Sequence, residues 1–154
     1  MTHLGLALNE TKTCLRNARE ESFTFLGYDF GPARYRTDGH WYLAAKPAKK
    51  SVAHVKHAIG TVLQPGNQEP WPEVAARLNR ILRGWANYFD YGTRSTAYQA
   101  VNRYVANAVR HFLCRRHKVS SRGTRRFAPV HVFGSLGVIW LRTRRLDAVS
   151  VGVM

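Results

Sequence analysis

Arg77, Arg80 and Asn87, with Gly84 between them, recur along one side of a run whose other side is apolar. Guanidinium and amide groups in such a row share one chemistry, donation of hydrogen bonds to anionic oxygens such as those of phosphate. Val74, Leu78, Ile81, Leu82, Trp85, Tyr88 and Phe89 supply the apolar side at helical spacing. A single helix would then pack through one face and present cations on the other. Gly84, without a side chain, would let a sugar-phosphate backbone or a neighbouring helix come close.

Other chemistries find less support. His111, Cys114 and His117 stand three apart on one helical run, and no second ligand pair follows them as a zinc site requires. Ser120, Ser121 and Thr124 lack an acid-base partner that would make one of them a nucleophile. Cys14 and Cys114 are a hundred positions apart with no CxxC, which fits a reducing compartment rather than a disulfide framework. Trp41, Trp71, Trp85 and Trp140 could stack on bases, yet Trp85 belongs to the apolar stripe, so Trp71, between two prolines, is the one left open.

The charge distribution names the class of partner. Of 154 residues, the first 76 carry nine Lys or Arg against seven acids, whereas the rest carry fifteen against only Asp90 and Asp147. Fourteen of those fifteen are Arg, the side chain that forks onto phosphate and stacks on bases. Such an excess repels itself in a compact monomer and is expected where a polyanion, nucleic acid first, supplies the missing charge. A content of 45% hydrophobic and 12% aromatic residues argues against disorder, and the length suits one domain or two small ones. No apolar run approaches the roughly 18 residues of a membrane span, and the start lacks a basic, then apolar, secretory pattern. The expectation is a cytoplasmic protein with no membrane partner.

Three helices must position the cations. Pro47 opens the first, with Val52, Val55, Ile59, Val62 and Leu63 on its apolar face and Lys49, Lys50, His54, Lys56 and His57 off it. Gln64-Pro65-Gly66-Asn67 ends it, and Pro70-Trp71-Pro72 leads into the second, which runs to about Tyr91 with Gly92 as its C-cap. Ser95 caps the third, with Tyr98, Val101, Val105, Ala108 and Phe112 inward and Arg103, Asn107 and Arg110 outward. From Val119 to Ala128 the composition predicts a flexible basic loop, and Pro129 to Leu141 an apolar segment that adds a helix or strand. Before the helices, Phe23 to Phe30 alternates as a strand broken by Gly31-Pro32, and Asp38-Gly39 turns the chain into His40-Trp41-Tyr42-Leu43. The fold class is therefore mainly α with a short N-terminal β-hairpin or small antiparallel sheet and an antiparallel three-helix bundle.

The run Leu78 to Phe89, then Tyr91-Gly92-Thr93 and the Tyr98 to Lys118 helix, resembles the maturase-specific region of group II intron-encoded reverse transcriptases. Upstream, Leu4 to Thr13 and Phe25-Leu26-Gly27-Tyr28 resemble the last two blocks of the reverse transcriptase palm, in the family's order. The resemblance implies residues 1–46 as the end of the palm with its hairpin, 47–118 as the thumb-like maturase (X) bundle, and 119–154 as a basic loop and C-terminal extension. It further implies that Arg77, Arg80, Arg83, Asn87, Arg103 and Arg110 face RNA, joined by Arg115, Arg116, Lys118, Arg122, Arg125, Arg126, Lys49 and Lys56. The implied partner is group II intron RNA or an RNA-containing duplex, and Lys12 matches a palm lysine associated with pyrophosphate departure.

Polymerisation in this family needs an adjacent Asp pair to hold two metal ions. Asp29, Asp38, Asp90 and Asp147 include no such pair, so the chain is expected to start just past that motif and not to polymerise by itself. Nothing after Arg122 resembles the family's endonuclease, and no cofactor is expected. Two alternatives accompany an RNA-binding maturase region: one piece of a split or misannotated polymerase completed by a separately encoded palm and fingers, or a decaying intron remnant.

Overall fold

A computed structural model of the chain describes residues 17 and 19–143. The first palm-like block with Lys12, Cys14 and Asp147 lie outside the described residues. The architecture is a three-stranded antiparallel sheet followed by helices, with the sheet docked at one end of the helical core. No helix among the described residues is long and apolar enough to cross a membrane.

The sheet corrects the strand reading. Strand β1, Phe23–Phe25, turns back at Leu26-Gly27 into β2, Tyr28–Arg34, instead of continuing to Phe30. Both turn residues have positive φ, 50° and 80°, which gives a two-residue hairpin the twist its strands need. A leucine rarely adopts that conformation, and this is why alternation alone missed the turn. The Gly27 carbonyl accepts hydrogen bonds from Ala48 N–H at 2.9 Å and Ser51 Oγ at 2.8 Å, tying the hairpin to the first helix. Gly31 and Pro32 do not break β2, because Pro32 lies past the end of β1, where β2 has only β3 as a neighbour. Strand β3, Trp41–Pro47, completes the sheet, so Pro47 ends a strand rather than opening a helix.

Helix α1, Lys49–Val62, packs against both α2, Trp71–Tyr88, and α3, Ser95–Arg116. Ile59, Leu78, Leu82, Val74, Val101, Val105 and Val109 are fully enclosed, and burial of each aliphatic side chain of this size stabilises by about 1.5–3 kcal/mol. Val109 joins the inward face of α3 fully enclosed, with Ala108 partly buried and packed against the same core. Arg94, not Ser95, stands at the α3 N-cap, with no side-chain cap bond.

Helix α2 stops at Tyr88, three residues short of the expected Tyr91. Its final carbonyls are taken by tyrosines from elsewhere in the fold. Tyr98 donates to Ala86 O and Phe89 O at 3.0 and 3.1 Å, and Tyr28 donates to Tyr88 O at 2.7 Å. Gly92 then adopts φ +68° against the Ala45 carbonyl, where a side chain would collide, while Thr93 N–H donates to that carbonyl at 2.7 Å. The glycine is thus a close-approach residue between sheet and helices rather than a helix cap.

Candidate nucleic-acid interface

The outward side of α2 carries Arg77, Arg80, Arg83, Gly84 and Asn87, all exposed. Leu78, Leu82 and Val74 pull the opposite side into the core, so the row is presented by a rigid element. Arg77 is already partnered: its Nη1 lies 2.9 Å from both carboxylate oxygens of Glu69. Nothing among the described residues comes within 4 Å of a side chain built at Gly84, so no neighbouring helix uses its gap.

On α3, Arg103 and Asn107 are exposed, whereas Arg110 is half-buried and its Nε is enclosed without a hydrogen-bond partner. Arg115 is exposed at the helix end. Arg116, also expected to face RNA, is half-buried and has partners within the fold: its guanidinium donates to Asn67 O at 2.8 Å and lies 4.6 Å over the Phe112 ring. These contacts tie the α1–α2 connection to α3. Lys49 is exposed at the start of α1, and the half-buried Lys56 holds its ammonium 5.6 Å over the Tyr104 ring.

Lys118, Arg122, Arg125 and Arg126 are exposed beyond α3, but the segment carrying them is folded onto the helix. Gly123 packs on Cys114 Sγ, Phe127 is buried in the core, and Phe127 N–H donates to Gly123 O at 2.8 Å. Its apolar anchor at Phe127 was hidden by the surrounding Ser, Gly and Arg. His117 stacks near Phe127, which, with the Cys114 packing, gives both residues structural neighbours. Among the described residues, no three His, Cys, Asp or Glu side chains come together to hold a metal ion.

The sequence reading missed the residues that place the end of the chain. After the single turn α4, Pro129–Val132, the backbone from Leu136 to Leu141 lies across α2 and α3, held by three side chains. Trp71 Nε1 donates to Leu136 O at 2.9 Å. Asn79 donates to Gly137 O at 2.8 Å and accepts from Ile139 N–H at 2.9 Å. Asn102, the buried polar residue of α3, donates to Leu141 O at 2.9 Å and accepts from Leu141 N–H at 3.0 Å. Trp71 is therefore a structural anchor at the start of α2, not an open stacking platform. Trp140, between the Asn79 and Asn102 clamps, is the tryptophan left 48% exposed. Arg83 stands one turn from Asn79 and Arg103 follows Asn102, so the two cationic rows border this strap.

Two phenols have raised pKa values. Burial pushes the Tyr98 hydroxyl up, opposed by Arg94 and reinforced by Asp90; burial likewise leads the rise at Tyr28. Both groups stay protonated donors to the end of α2.

Comparison with known proteins falls on the helical part. No curated protein matches the chain. The family model of the group II intron maturase-specific domain matches residues 52–129, from the first turn of α1 through α2 and α3 to the start of α4. The match spans half of the chain and includes every helix that carries the cationic rows, and on that footing the chain belongs to the group II intron maturase-specific family.

Proposed function

We propose that this chain binds structured group II intron RNA through phosphate contacts and helical shape, assisting the fold from which the intron is spliced. The observation that carries the reading is the pair of outward rows, Arg80, Arg83 and Asn87 on α2 and Arg103 and Asn107 on α3, held on rigid helices. Neither Arg80, Arg83 nor Arg103 has an ion-pair partner among the described residues. Duplex RNA is bound mainly through phosphates, 2′-hydroxyls and minor-groove shape, which calls for donors at fixed spacing rather than base-specific side chains. Residues 47–118 would form the RNA-gripping bundle and 119–154 its basic extension, with the sheet continuous with a palm.

Titration of the chain with intron RNA at several salt concentrations tests this. About six phosphate contacts would weaken binding by a factor of order 10³ between 50 and 200 mM salt, and Arg80→Ala would lower the salt slope by about one. A flat salt response would sink the proposal.

A second reading has its own observation. Phe25, Leu26, Trp41 and Leu43 are 59, 66, 40 and 41% exposed, an apolar concentration along the hairpin and one face of the sheet. It favours a separately encoded palm and fingers polypeptide docking there, which co-elution of the two chains tests.

A further inference from the structure

A cleft of about 400 Å³ opens between α3 and the end of the chain, walled by Gln99, Arg103, Asn107, Pro129, Phe133 and Trp140. Its size lies in the range of small-ligand sites, ~300–1,000 Å³. The two walls differ in chemistry. Gln99, Arg103 and Asn107 are four apart in sequence and form a single polar row on α3, all exposed. None of the three side chains has a hydrogen-bond or ion-pair partner among the described residues. Facing them is an aromatic wall, in which Trp140 meets Phe133 edge-on with centroids 4.7 Å apart and planes at 87°.

That wall is built rather than incidental. Asn102 grips the backbone of Leu141 through both its amide atoms, and Asn79 does the same to Gly137 and Ile139, so the residue between the clamps has a fixed backbone position. The Phe133 contact then sets the indole, in a residue that remains nearly half exposed. The fold holds a large aromatic ring outward beside unpaired amides and a guanidinium.

We propose that this cleft takes one unpaired nucleotide of the bound RNA, its base against Trp140, its edge at the Gln99 and Asn107 amides and its phosphate at Arg103. Stacking on an aromatic ring serves any base, since every base has a π-face. Primary amides carry a donor and an acceptor side by side, as the hydrogen-bonding edges of bases do. Arg103 offers only donors, which suits phosphate and not a base acceptor-poor edge. The surrounding excess of cations selects a polyanion over an apolar peptide as occupant. The inference rests on the RNA-binding reading and adds to it a place where the RNA departs from a regular duplex.

The test compares three RNAs against the full chain: a perfect duplex, the same duplex with a single bulged nucleotide, and that duplex with an abasic bulge. The bulged RNA is expected to bind roughly tenfold more tightly than the abasic one, about 1.4 kcal/mol of stacking. Trp140→Ala is expected to erase that ratio and Trp140→Phe to keep most of it. Gln99→Ala combined with Asn107→Ala, at exposed helix positions, is expected to reduce the spread of affinities among the four bulged bases, a readout that does not depend on Trp140→Ala folding. Equal binding of bulged and abasic RNA by the parent chain, or a ratio that survives Trp140→Ala, overturns the cleft while leaving duplex binding to stand. Absence of binding to all three RNAs overturns the reading beneath it as well.

Discussion

Asn102 uses an amide side chain as a stand-in for a β-ladder. Its oxygen and nitrogen face the N–H and C=O of Leu141 as a neighbouring strand would, at 3.0 and 2.9 Å and with only 2% of the residue exposed. Replacement by leucine keeps the volume but leaves both Leu141 backbone groups unpaired, for which the cost is about 1–3 kcal/mol. Asn102→Leu is therefore expected to lower the thermal midpoint by roughly 4–8 °C at about 2 kcal/mol, and Asn102→Asp to lose at least as much, because a buried carboxylate keeps the acceptor for Leu141 N–H but sets a second acceptor, and a charge, against the Leu141 carbonyl. Circular dichroism melts check this, and an unchanged midpoint in Asn102→Leu would show the clamp to be dispensable. Helical spacing sets Asn102, four after Tyr98 and three before Val105, on the inward side of α3 and Asn107 on the outward side. What the spacing does not show is the partner of the inward amide, which the returning end of the chain supplies.

At the scale of elements, α2 is the informative case. Its apolar and cationic faces follow from spacing, yet its end is set by phenols on β2 and α3 that take the carbonyls of Tyr88, Ala86 and Phe89. The Tyr98 pKa is raised above its ordinary value of about 10, first by burial. A folded pKa above the unfolded one means that stability from this phenol is fully present below pH ~10 and is lost as pH climbs through the folded value. Tyr98→Phe is accordingly expected to be less stable than the parent by about 1 kcal/mol at pH 8. The difference narrows as pH rises above ~10. Urea unfolding of both proteins across that range measures it, and a difference that stays constant would remove the phenol from the account of the α2 end.

Across the whole molecule, two surfaces of opposite character emerge: cationic helix faces around the strap, and an apolar sheet face at the other end of the core. Their expected partners respond oppositely to salt, since phosphate contacts weaken with ionic strength while apolar docking does not. If a palm and fingers polypeptide covers the sheet, Leu43→Lys is expected to abolish co-elution while leaving the helical melt unchanged. Co-elution that survives the substitution would put the contact elsewhere. The family was legible in the resemblance of the Leu78 to Phe89 and Tyr98 to Lys118 runs, and the α-rich fold and the outward setting of Arg80, Asn87 and Arg103 in helical periodicity, which is local and places each residue relative to its own axis. The structural commitments of Arg116, Trp71 and Phe127, the hairpin at Leu26-Gly27 and the strap were not, because each depends on a contact between residues distant in sequence or on an uncommon backbone conformation. The amino-acid sequence by itself determined which side of each helix carries charge; the tertiary structure decided which of those charges remain free, because only packing brings a distant carbonyl or ring within bonding distance of a guanidinium.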